Sequence, residues 1–82
     1  MTAAELREAI DLALAGDWER AHEIVQRDEA HPTAAWIHAV IHKIEGDLGN
    51  AGYWYRRAGR PADHGRDPHD ELRDILADLT TG

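Results

Sequence analysis

Apolar residues recur every three or four positions along most of the chain, which is the spacing of one face of an α-helix. Five such stretches predict five helices, the first over residues 3–15 and the others beginning at about residues 18, 32, 48 and 68. Ala and Leu are abundant whereas Thr and Val are scarce, a bias that favours helix over strand. The pattern therefore predicts an all-α fold.

Two Gly-Asp pairs mark the turns between predicted helices. Gly16-Asp17 follows the first helix and Gly46-Asp47 follows the third. Glycine suits the left-handed position that ends a helix, and aspartate suits the cap that begins the next one. We therefore predict that Gly46 has a left-handed backbone between helices three and four.

The two Gly-Asp turns lie 30 residues apart, and the residues that follow them also match. Asp-x3-Ala-x3 runs from Asp17 through Ala21, and again from Asp47 through Ala51. A period of this size, with each unit a helix hairpin, is typical of stacked α-hairpins. We predict one domain over residues 1–82, with hairpins at 2–30 and 32–60, a loop at 60–67 and a capping helix at 68–80 that covers the end of the stack.

The second unit resembles the second half of a tetratricopeptide repeat, through Gly46, Asp47, Ala51, Tyr55 and Ala58. The first unit matches at fewer positions and departs from the pattern at Val25 and Asp28. The resemblance covers about residues 2–61. It implies a tetratricopeptide-like (TPR-like) fold and a scaffold or peptide-binding role, and it transfers no site residues.

The composition of the chain limits which cellular compartments and which classes of partner are expected. The chain of 82 residues has no cysteine, which suits a reducing compartment, and its first fifteen residues contain charges that exclude an apolar signal core. No apolar run is long enough to span a bilayer. We expect a cytoplasmic protein with no membrane segment. The net charge of −7 argues against nucleic acid as a partner.

The charge is nevertheless uneven, because residues 31–66 carry a net charge of +2 in an otherwise acidic chain. The fourth helix places four residues on one side, opposite Ala51, and we predict that they form the binding surface: Tyr53, Arg56, Arg57 and Arg60. Arginine with tyrosine suits carboxylate or phosphate recognition. An ordinary solvated face is the alternative, and single-stranded RNA stacked on the aromatic ring is another.

A His-x3-His pair is the other candidate site. His38, His42 and Glu45 share one side of the third helix and could hold a divalent metal ion. No fourth ligand is evident, so we predict no metal, no cofactor and no zinc binding tighter than micromolar. The chain also lacks serine, cysteine and a glycine-rich phosphate loop, and we predict no catalytic residues and no enzymatic activity.

These observations favour a non-catalytic protein–protein interaction or scaffold module, which would bind its partner either through the basic residues of helix four or through the concave side of the hairpin stack. The partner predicted from the basic residues is an acidic segment of another protein. It could equally be the acidic first or fifth helix of a second copy, which would give a homodimer. A small metal-binding protein and a single-strand RNA binder remain the alternatives.

Overall fold

A computed structural model describes residues 1–81, with side chains through residue 80, and over that range the chain forms five α-helices and no strand. The helices are α1 (Ala3–Leu14), α2 (Trp18–Val25), α3 (Pro32–Ile44), α4 (Leu48–Arg57) and α5 (Pro68–Thr81). A single 3-10 turn, Gln26–Asp28, extends α2. The predicted all-α fold is confirmed. None of the helices described is long and apolar enough to cross a membrane.

The two Gly-Asp turns have the same backbone conformation. Gly16 has a φ of +92° and Gly46 a φ of +82°, both in the left-handed region that only glycine adopts at little cost. Asp17 and Asp47 each accept the backbone N–H three residues further on, and so cap α2 and α4. The prediction of a left-handed Gly46 is confirmed.

The starts of α1 and α3 are capped by side chains of different kinds. Thr2 and Glu5 form a complete capping box, in which each side chain accepts the other residue's backbone N–H. At α3 the cap is an imidazole, since Nδ1 of His31 accepts the N–H groups of Thr33 and Ala34. Each cap satisfies backbone donors that the first turn of a helix leaves unpaired.

Helix α3 lies at the centre of the molecule. α1 packs against α2 and α3 against α4, which makes two antiparallel hairpins, and α1 and α2 also pack on α3. Every residue from 34 to 41 is buried, so α3 is covered on all sides, its polar residue His38 included. A helix with one solvated face would not bury eight consecutive residues.

Helix α5 packs on α1 and α3, the first helices of both hairpins, instead of covering the end of the second hairpin. Leu72 and Ile75 are fully buried in this contact. α5 reaches α4 through a side-chain hydrogen bond, in which the Tyr55 hydroxyl donates to the Glu71 carboxylate at 2.8 Å. The C-terminal helix thereby ties the two hairpins together.

Two residues of α4 differ from the pattern. Helical spacing places Leu48 on the same face as the buried Ala51 and Tyr55, yet Leu48 is 48% exposed, whereas Trp54, which the same spacing places at the border of that face, is only 7% exposed. Within residues 1–81, α4 packs closely against α3 and reaches α5 through the Tyr55 hydroxyl. Its first residue therefore lies at an open rim, while Trp54 turns towards α3 and is covered there.

Candidate functional site

Three histidines from both hairpins meet beside α3, and we call them the histidine cluster: His22, His38 and His42. His38 and His42 are one helical turn apart on α3, so their rings lie on the same side of it. His22 reaches them from α2. One nitrogen from each ring can be chosen so that all three lie within 4.8 Å of one another.

The rings are held in a defined arrangement. Nε2 of His22 lies 2.8 Å from Nε2 of His38, a hydrogen bond whose donor depends on the tautomers. The indole of Trp54 stacks on His38 at a centroid distance of 3.8 Å, and His38 stacks on His42 at 5.0 Å. Side chains from α2, α3 and α4 therefore fix the cluster jointly.

Burial favours the uncharged form of two histidines of the cluster, His38 and His22. His38 is 2% exposed, and its burial, together with the nearby His22 and His42 rings, lowers its pKa to about 3. Burial and the His42 ring also lower the pKa of His22. At neutral pH these two imidazoles are uncharged, which is the state that binds metal ions.

Two nitrogens of the cluster are poorly satisfied. Among the described residues, the buried Nδ1 of His38 has no hydrogen-bond partner. Nδ1 of His42 lies 3.1 Å from Oε1 of Glu45, within ion-pair distance, but it forms no hydrogen bond among the described residues. Buried polar atoms without partners are uncommon in proteins and cost free energy.

The predicted binding surface on α4 begins at Tyr53, next to Trp54, whose ring stacks on His38 of the cluster. Tyr53 is 42% exposed, and its hydroxyl accepts a hydrogen bond from Nη1 of Arg57 at 3.2 Å. The Arg57 guanidinium also lies over the Trp54 ring at 5.3 Å and donates to the backbone carbonyl of Glu29 at 3.4 Å. Arg56 is exposed on the same helix. Tyr53, Arg56 and Arg57 form what we call the basic surface.

Arg60, the fourth residue of the predicted set, lies elsewhere. Its guanidinium stacks on the Trp36 ring at 3.4 Å, at the edge of a pocket of about 290 Å³ that Asp63, Arg66 and Glu71 also line. Helical spacing had placed Arg60 beside Arg56, but α4 ends at Arg57. Gly59, with a φ of +72°, then turns the chain away.

A buried polar network lies behind that pocket. Glu71 is 1% exposed and its carboxylate accepts hydrogen bonds from Lys43 Nζ at 2.5 Å and from Trp36 Nε1 at 2.8 Å. Lys43 also donates to the backbone carbonyl of Asp63 at 2.7 Å. Burial and the bond to Glu71 raise the pKa of the Tyr55 hydroxyl. The partners satisfy one another, which is typical of a structural anchor.

Sequence reasoning singled out His38, His42 and Glu45 but missed His22. The signal was present, since His22 directly follows the inward-facing Ala21 on α2 and lies three positions before Val25. A pattern within one helix cannot show which helix lies opposite, so His22 could not be paired with α3.

Comparison with protein-family models, curated proteins and solved structures gives no match for this chain. The roles of the histidine cluster and the basic surface therefore rest on their own geometry.

Proposed function

We propose that this chain is a non-catalytic, TPR-like interaction module that binds an acidic segment of another protein through Tyr53, Arg56 and Arg57. One observation carries the proposal. Within residues 1–80, no carboxylate forms an ion pair with Arg56 or Arg57, although the chain has sixteen acidic residues.

The arrangement of the surface supports carboxylate recognition. Arg57 is held by Tyr53, Trp54 and the Glu29 carbonyl, so it loses less conformational freedom when a ligand binds. Guanidinium groups donate paired hydrogen bonds to carboxylates, and an exposed tyrosine adds a flat apolar contact. The TPR-like part of the proposal rests on the repeated Gly-Asp turns and on the residues that follow Gly46-Asp47 in the sequence.

The test reverses the charge of the surface. The double variant Arg56→Glu/Arg57→Glu should fold as the wild type does, because both side chains are exposed, and it should lose the captured partner. A matched control, Arg7→Glu/Arg73→Glu, makes the same change in net charge at exposed positions of α1 and α5 and should keep the partner.

Affinity capture with mass spectrometry, followed by mapping of the bound segment, provides the readout. An acid-rich segment that binds the wild type and the control, weakens with added salt and is lost from the double variant supports the proposal. Equal recovery by all three proteins would overturn it. Light scattering distinguishes a second copy of the chain from a foreign partner, and loss of capture after nuclease treatment would indicate RNA instead.

A further inference from the structure

The histidine cluster joins elements that are distant in the sequence but meet in the fold. His22 belongs to the first hairpin, whereas His38 and His42 belong to the second. Their nitrogens face one another across the boundary between the hairpins, and the pair His22–His38 is already at 2.8 Å. The residues of α3 alone supply too few ligands for a metal site, and His22 adds one from α2.

The donor chemistry selects the kind of ligand. Neutral imidazole nitrogens suit Zn²⁺ and its first-row neighbours, while Ca²⁺ and Mg²⁺ require sets of oxygen ligands. A ligand set of three histidines, with a fourth position for water, is a familiar arrangement for zinc. We propose that His22, His38 and His42 form a binding site for a divalent transition-metal ion, for which Zn²⁺ is the best fit.

The distances agree with a site that needs only small adjustments. Zn–N bonds of about 2.0–2.1 Å in a tetrahedron place ligand nitrogens roughly 3.3 Å apart. In this structure one nitrogen pair is 2.8 Å apart and no pair of the chosen atoms exceeds 4.8 Å. Rotations of the half-buried His22 and His42 rings would bring the three nitrogens to that spacing.

The surroundings resemble those of a metal ligand set. The Glu45 carboxylate lies 3.1 Å from Nδ1 of His42, so a small rotation of that ring would form a hydrogen bond that holds it in place. Carboxylates behind metal-bound histidines commonly have this role. Trp54 closes the site on one side. His22 and His42 are only partly buried, which leaves a route for the ion and for a water ligand.

Without a metal ion, nothing in the cluster offsets the cost of burying one of its nitrogens. A hydrogen bond between His22 and His38 satisfies one nitrogen of each ring, but it leaves Nδ1 of His38 buried without a partner. A metal ion bound through Nε2 of His38 leaves Nδ1 unpaired as well, but the free energy of metal binding would offset the cost of burying that atom. The metal proposal is independent of the binding function proposed above, because none of its ligands belongs to the basic surface.

The first test is calorimetric titration of ZnCl₂ into the chelator-treated, tag-free chain at neutral pH. We expect one ion per chain with a dissociation constant in the micromolar range or below. His22→Gln should raise the dissociation constant by more than about tenfold, since even the loss of an outer-shell partner costs about 10–100-fold. The matched control His69→Gln, another half-buried histidine, should bind as the wild type does.

The second test does not depend on any variant folding. In the wild type, zinc should shift the ring-nitrogen NMR signals of His22, His38 and His42 and leave those of His31, His64 and His69 in place. Cobalt should give the intense visible absorption of a four-coordinate site. Absence of heat and of spectral change, or shifts at the three outer histidines instead, would overturn the proposal.

Discussion

At the scale of single residues, the glycines at the two Gly-Asp turns are required by the backbone conformation, and their replacement should have a measurable effect on stability. A Cβ atom added at Gly46 would meet no atom within 4 Å beyond its chain neighbours, so crowding at Cβ does not require glycine here. Its φ of +82° limits which residues can replace it, because a β-branched residue strongly resists the left-handed conformation. The requirement for glycine is therefore a requirement of the backbone.

We accordingly expect Gly46→Val to lower the free energy of unfolding by more than about 1 kcal/mol. Chemical denaturation measures the loss. Gly65→Val is a matched control, since Gly65 also has open space around it but lacks a left-handed φ. The control should change the free energy of unfolding little. Equal effects at the two positions would contradict the turn as described.

At the scale of helices, the buried network around Glu71 determines how α5 is attached. Glu71 and Lys43 are 1% and 8% exposed, and they link α5 to α3. Burying two charges is costly, so such a pair adds little to stability compared with apolar residues. Removing one partner is different, because the remaining buried charge has no counterion.

Glu71→Gln should therefore destabilise the chain by about 3–5 kcal/mol. Arg73→Gln breaks an exposed ion pair with Asp70 on the same helix and should cost about 1 kcal/mol or less. Urea unfolding compares the two variants, and amide exchange should show increased opening of α5 in Glu71→Gln. Adding Lys43→Met to Glu71→Gln should recover part of the loss. Similar losses for Glu71→Gln and Arg73→Gln would show that the network does not anchor α5.

At the scale of the whole molecule, the histidine cluster couples folding to pH. In the folded chain burial lowers the pKa of His38 to about 3, whereas an unfolded histidine has a pKa near 6.5. Below about pH 6.5 the unfolded chain therefore binds a proton that the folded His38 does not. The contribution of the uncharged His38 to the free energy of unfolding is fully present above that pH and is lost as the pH falls towards about 3. His22, whose pKa is also lowered, acts in the same direction.

The free energy of unfolding should consequently fall by about 1.4 kcal/mol per pH unit for His38 alone, between about pH 6 and 4.5. Carboxylates with lowered pKa, such as Asp28 and Asp47, act mainly below this window. The comparison is with His38→Phe, which keeps a ring against Trp54 but does not titrate. Denaturation with a chelator present removes any metal contribution. If the free energy of unfolding fell equally with pH in the wild type and in His38→Phe, the prediction would be contradicted.

The sequence by itself determined the five helices, the aspartate caps of α2 and α4 and the left-handed glycines that precede those caps, because these features depend on hydrogen bonds and backbone preferences within a few residues. It also indicated the stacked hairpins through the repeated turns. Only the tertiary structure brought His22 to His38, turned Arg60 away from Arg57 and placed Glu71 beside Lys43. These positions depend on which helices pack together, and the periodicity of a single helix carries no record of its neighbours. A buried histidine and a solvated one also look alike in a sequence, since burial is a property of the surrounding helices.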